Sequence, residues 1–185
     1  MRFYLAGPFF NPVQVGLINE LENALDPHHQ VFSPRRECFV APDGSALERQ
    51  RAFELNCQHV ADADLVLAVL TYALPPRQSL RVVTMPEPAA LLTRSFLSGA
   101  VQVPTFSPPL ALPDTGTVWE LGYAYARRQI AGKPHLLAFY SDYPAAVNLM
   151  LAEGFDDYLV GAAELDKWLR DGSPLTKSPW QGRIV

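Results

Sequence analysis

The sequence predicts an α/β protein: one parallel sheet of about five strands with helices on both faces, a Rossmann- or flavodoxin-like arrangement. Three observations predict it. Residues 2–6 and 65–70 are apolar on both faces, as strands of a covered parallel sheet are. Between such runs lie segments with apolar residues at helical spacing, so strand and helix alternate. Proline or glycine stands where several of these helices must stop, at Pro27, Gly132 and Gly154. The 185 residues, 49% hydrophobic and 18% charged, are read as a single domain over 1–185 with enough chain to bury a core.

Each element has its local reason. Arg2-Phe3-Tyr4-Leu5-Ala6 is the first strand, closed by a Gly7-Pro8 turn. After Asn11-Pro12, the residues Val15, Ile18, Leu21 and Leu25 recur at helical spacing, and Asp26-Pro27 ends the helix. Residues 30–32 form a short second strand, and 33–45 read as loop. Residues 46–61 form a second helix with Phe53, Asn56, Cys57 and Val60 on related faces. Leu65 to Leu70 has no polar face, hence a central strand. Residues 73–113 break the pattern with eight prolines and four charged residues. This is read as a Pro-rich insertion, with a short helix over 89–97, that lids the site, since connections of this length are usually functional or mobile. A helix over 117–131 ends at Gly132-Lys133-Pro134, and 135–140 form the fourth strand. Residues 148–153 form a short helix ending at Gly154, 157–160 a fifth strand and 162–170 a last amphipathic helix.

Composition bounds the partners. A net charge of −4 argues against nucleic acid, whose phosphates need a basic surface. No run approaches the ~18 apolar residues of a membrane helix, and the opening, which meets Pro8 and Pro12, is too short for a signal segment. Cys38 and Cys57 read as reduced thiols of a cytoplasmic protein. The histidines have no ligand-like spacing, and no Gly-rich phosphate loop is present, so neither metal nor cofactor is expected.

The stretch that carries chemistry is Asp114-Thr115-Gly116-Thr117-Val118-Trp119-Glu120-Leu121-Gly122. It reads in two ways. Thr117 and Glu120 can form a capping box, leaving Asp114 an ordinary turn residue. Alternatively, Gly116 lets the backbone bend through positive φ and brings Asp114 and Glu120 to one helix mouth, where the helix dipole stabilises negative charge. In a parallel sheet, ligands bind beyond the carboxyl ends of the strands. That rule draws Tyr4, Gly7, Asp114 and Glu120 toward one crevice. Pro8, Phe9 and Phe10 either line an apolar slot for a planar ligand or are core, core being expected for one of the two phenylalanines.

Three segments in order are Tyr4-Leu5-Ala6-Gly7-Pro8-Phe9-Phe10-Asn11-Pro12, the Asp114–Ala126 stretch (DTGTVWELGYAYA) and Asn148-Leu149-Met150. Together they resemble the nucleoside 2-deoxyribosyltransferase family, over residues 2–71 and 114–160. The resemblance implies that Glu120 is the nucleophile and that Tyr4 orients it. It implies that Asp114 holds the sugar hydroxyls and disfavours a 5′-phosphate, since the related nucleotide-cleaving hydrolases tend to carry Ser there. Asn56 falls where many members carry an acid that protonates the leaving base; Asn cannot shuttle a proton, so the proton source is open. Asn148 and Met150 are implied to reach a neighbouring subunit's site, which makes the protein a homo-oligomer with shared active sites, and the tail from Trp180 to approach the site. Expected substrates are a nucleoside and a free nucleobase. Three functions stand side by side: deoxyribosyl transfer, N-glycoside hydrolysis of a nucleoside or nucleotide, and a non-catalytic nucleoside-sensing module.

Overall fold

The computed structural model describes residues 1–41, 43–70, 113–144 and 146–184. The expected insertion therefore lies, apart from Pro113, outside the described residues, and its helix and lid role with it.

The described chain runs β1 (Arg2–Ala6), α1 (Pro12–Leu25), β2 (Gln30–Phe32), α2 (Pro34–Glu37), α3 (Ala46–Asp62) and β3 (Leu65–Val69). It continues with α4 (Thr115–Ala131), β4 (His135–Tyr140), α5 (Leu149–Ala152), β5 (Asp157–Val160) and α6 (Gly161–Arg170). The five strands form one parallel sheet in the order β2-β1-β3-β4-β5. β3 is central and buried at every residue, as its unbroken apolar run requires.

Alternation along the strands sorts the core into two layers. Phe3, Leu5, Leu65, Leu67, Val69, Leu137 and Phe139 pack against Ile18, Leu21 and Leu25 of α1 and Leu165 and Trp168 of α6. Tyr4, Ala6, Val66, Ala68, Leu136, Ala138 and Tyr140 face Val60 of α3 and Leu121 and Ala124 of α4. The chain passes outward from β1 to β2, then returns to the other side of β1 as β3. Strand order reverses there, and such a switch point opens a crevice at the carboxyl edge.

Three local expectations are corrected. Residues 33–45 are not all loop. Pro34 is pre-set for the first helical position, and α2 is tied down by charge. Arg35 pairs with the buried Glu22 of α1 and reaches Asn19 Oδ1 at 2.5 Å; Arg36 Nη1 donates to Asp26 Oδ2 at 2.6 Å. α4 starts at Thr115, with Asp114 as its N-cap: Asp114 Oδ2 accepts from the Thr117 N–H at 2.8 Å and the Thr117 hydroxyl at 3.0 Å. The Thr117–Glu120 capping box does not form. Gly116 has no positive φ; it is helical. Its lack of a side chain matters for space, since a Cβ there would stand 3.0 Å from Asp114 Oδ2.

α1 begins at Asn11, whose side chain accepts from the Gln14 N–H, and α3 begins with a complete capping box of Ser45 and Glu48. Gly132 closes α4 at φ 75°, the left-handed C-cap a glycine takes without strain. In the tail, Trp180 is buried against Tyr140, Tyr143 and Tyr158, and Ile184 pairs with Val147. No helix among the described residues is long and apolar enough to cross a membrane.

Candidate active site

At the switch-point edge lies a cavity of about 590 Å³. Gly7, Phe9 and Phe10 line it from the β1 loop, Pro34, Cys38, Phe39 and Val40 from the α2 region, and Asn56 from α3. Asp114, Gly116, Thr117 and Glu120 close it from the mouth of α4. An adjoining cavity of about 530 Å³, lined by Glu37, Asp43, Glu48 and Arg51 among others, shares Cys38, Phe39 and Val40 with it.

Four elements position the polar centre. Tyr4 is fully buried, with its ring stacked on Phe32, and its side chain leaves β1 on the face that α3 and α4 cover. The Tyr4 hydroxyl stands 2.5 Å from Glu120 Oε1 and 3.1 Å from Asn56 Oδ1. It carries one proton, and an ionised carboxylate is the stronger acceptor, so Tyr4 donates to Glu120. Asn56 Oδ1 in turn accepts from the Cys38 thiol at 3.0 Å. The result is a contact chain Cys38–Asn56–Tyr4–Glu120 along one wall.

Burial sets the electrostatics. Glu120 is pushed up to about 7, first by desolvation; the Tyr4 hydrogen bond opposes the rise and the Asp114 charge adds to it. The Glu120 carboxyl therefore changes charge near neutrality, where acid–base and nucleophilic groups are most useful. Burial, helped by the charge of Glu120, pushes Tyr4 well above the ordinary tyrosine range, so it stays a donor. Burial also raises the Cys38 thiol, with Glu120 and Glu37 adding to the rise.

Phe9, Phe10 and Phe39 form an aromatic wall. Phe9 lies 5.5 Å from Phe10, stacked, and 6.5 Å from Phe39, edge-on. Neither Phe9 nor Phe10 is core: Phe10 is 73% exposed and Phe9 partly so. The core expectation for one of them is corrected, because the Pro8 turn carries both rings past the sheet edge. Pro8 itself is buried and is not among the lining residues. Gly7 is needed for close approach: a Cβ there would meet Ile18 Cδ1 at 2.6 Å and Val69 Cβ at 3.0 Å.

Of the sequence-predicted residues, the fold brings Tyr4, Gly7, Phe9, Asn56, Asp114, Gly116 and Glu120 to this one place. It does not bring Asn148 or Met150 there. Asn148 is exposed and caps α5, accepting from the Met150 N–H at 2.9 Å. Met150, 78% exposed, borders a separate apolar cavity of about 250 Å³ with Val118, Leu121 and Tyr125. Trp180 lines neither. Cys38, Phe39, Val40 and Pro34 were not singled out as site residues. Their signal was position: they follow β2 at the carboxyl edge, where ligands bind. No group of three or more His, Cys, Asp or Glu among the described residues could hold a metal ion.

No family model matches the chain, and no curated protein sequence does either. Solved structures do. The 2-deoxyribosyltransferase of the psychrotolerant bacterium Bacillus psychrosaccharolyticus is 23% identical, with a TM-score of 0.65 over 97% of this chain and 99% of that one. A CMP N-glycosidase of Clostridium botulinum is 15% identical, with a TM-score of 0.47 over 93% of this chain and 98% of that one. A 2-deoxyribosyltransferase of Leishmania mexicana is 20% identical, with a TM-score of 0.42 over 84% and 72%. This chain has the fold of the Bacillus protein.

Proposed function

We propose that the chain belongs to the nucleoside 2-deoxyribosyltransferase family and moves a 2-deoxyribosyl group between nucleobases through an ester on Glu120. The observation that carries this reading is the 2.5 Å hydrogen bond from Tyr4 to Glu120, a carboxyl with a pKa of about 7 at the cavity. A carboxylate held by one hydroxyl keeps its other oxygen for attack on the anomeric carbon. The base departs, and a second base attacks the ester from the vacated side. Two inversions give net retention, as in retaining glycosidases. The fold shared with the Bacillus 2-deoxyribosyltransferase supports the reading.

The other residues take roles that follow from their bonds. Asp114 uses Oδ2 to cap α4 and has Oδ1 to accept a sugar hydroxyl; its charge disfavours a 5′-phosphate. Phe9 and Phe39 offer faces for a flat base. Asn148 and Met150 belong in this proposal only through a second copy of the chain, which they would serve across a shared boundary.

The test is to incubate a deoxynucleoside with and without a second free base and separate the products by chromatography. A new nucleoside formed only with the added base supports transfer. Free sugar in both incubations indicates hydrolysis, with water taking the ester. A Glu120→Gln variant that keeps full turnover sinks both readings, whereas binding without turnover in the unaltered protein points to a sensing module.

A further inference from the structure

Breaking the glycosidic bond of an ordinary nucleoside leaves negative charge on the departing base, which a positioned acid must neutralise. Glu120 cannot both attack and protonate. Asn56 has no transferable proton. Burial and the charge of Glu120 push the Tyr4 hydroxyl well above the ordinary tyrosine range, so it is too weak an acid to give up its proton. Asp114 acts as an acceptor, taking the Thr117 N–H and hydroxyl bonds on Oδ2, and an aliphatic hydroxyl such as that of Thr117 is too weak an acid to protonate a base. Among the described residues, the remaining ones that line the cavity, apart from one, are glycine, proline, valine and phenylalanine. The exception is Cys38.

We propose that the Cys38 thiol is the general acid–base group of this site, protonating the leaving nucleobase and recovering that proton from the incoming one. This inference rests on the function proposed above. Cys38 lines the Glu120 cavity and the cavity beside it. It is the neighbour of Phe39, on the aromatic wall where a base would stack. α2 holds its position: Arg35 and Arg36 anchor that helix to Glu22 and Asp26, and Cys38 is its C-cap. Asn56 accepts the thiol hydrogen bond at 3.0 Å and holds the group at the cavity wall; to reach the base the S–H turns away from Asn56. Burial keeps the thiol protonated at neutral pH, the state an acid must start from.

The step balances. A Glu120 oxygen forms a bond to the anomeric carbon as the carbon–nitrogen bond breaks. The electron pair of that bond goes to the base, which takes the Cys38 proton and leaves a thiolate. In the second half the incoming base loses its N–H proton to the thiolate, its nitrogen attacks the anomeric carbon, and the Glu120 carboxylate departs.

The test compares two deoxynucleosides of whichever base class the enzyme accepts. One carries its ordinary base. The other carries a base that leaves without a proton, an N7-methylated purine or 5-nitrouracil. Cys38→Ala should lower kcat on the ordinary substrate by about 10²–10³-fold and on the activated one by no more than about 3-fold. Cys38→Ser, which keeps the size and the contact with Asn56, should show the same split, since its hydroxyl is a far weaker acid; it also guards against a folding defect in the alanine variant. Equal losses on both substrates, or no loss on either, overturn the assignment while leaving Glu120 chemistry standing. An unaltered enzyme that turns over neither substrate overturns the proposed function and this inference with it.

Discussion

Replacing Tyr4 by Phe removes one oxygen and nothing else from a fully buried ring. The lost hydroxyl donates to Glu120 at 2.5 Å and is what holds the carboxyl down against burial. A hydrogen bond to a charged group contributes about 1.5–3 kcal/mol, and a tenfold change in ionisation corresponds to about 1.4 kcal/mol. The acid limb of the kcat/KM profile should therefore move from about pH 7 to about pH 8–9 in Tyr4→Phe. At pH 7 the ionised fraction of Glu120 falls from about one half to about one tenth or less, and the rate falls with it. On the alkaline side much of the rate returns. Asp114→Asn supplies the opposite sign. Asn caps a helix nearly as well as Asp, but the like charge that raises Glu120 is gone, so this limb should move below pH 7. Rate profiles of the three proteins between pH 5 and 10 decide the matter. A limb that stays put in Tyr4→Phe, or moves toward acid, refutes the account of how Glu120 is tuned.

The same carboxyl predicts a stability effect. Its folded pKa, about 7, lies above the ordinary value of 4.5, so the fold favours the protonated form. That contribution is complete below pH 4.5 and is lost as pH rises through 7. Glu120→Gln, which keeps an acceptor for Tyr4, should match the unaltered protein at pH 4.5 and exceed it by up to about 3 kcal/mol at pH 9, measured by urea unfolding at each pH; equal stability at both would contradict the buried-charge argument. Gly7→Ala forces a methyl to within 2.6 Å of Ile18 and 3.0 Å of Val69. Overpacking of this kind costs about 1–3 kcal/mol, which a thermal melt should read as a drop of about 2–10 °C.

Much of the fold was legible because its signals are local. The unbroken apolar runs of β1 and β3, the 3.6-residue rhythm of α1 and the Gly132 stop of α4 depend on residues a few places apart. Side-chain bearings depend on distant chain. Thr117 and Glu120 have the spacing of a capping box, yet Glu120 turns away to a tyrosine 116 positions earlier, and Asp114 takes the cap. Likewise α2 is too short to announce itself; it exists because Arg35 and Arg36 find acids at the C-terminal end of α1, Glu22 and the C-cap Asp26. For Phe9 and Phe10 the sequence left slot and core both open, with core expected for one of them, and only the direction of the chain after Pro8 put both on a cavity wall.

By itself, then, the amino-acid order determined a parallel sheet, its crevice at the carboxyl edge, and the carboxyl and hydroxyl groups that converge there, because periodicity and topology leave few alternatives. Only the tertiary structure decided which carboxylate caps and which faces the cavity, and that Cys38 stands beside Asn56. Those outcomes turn on a few ångströms of packing between segments far apart in the chain, and no neighbouring residue encodes that distance.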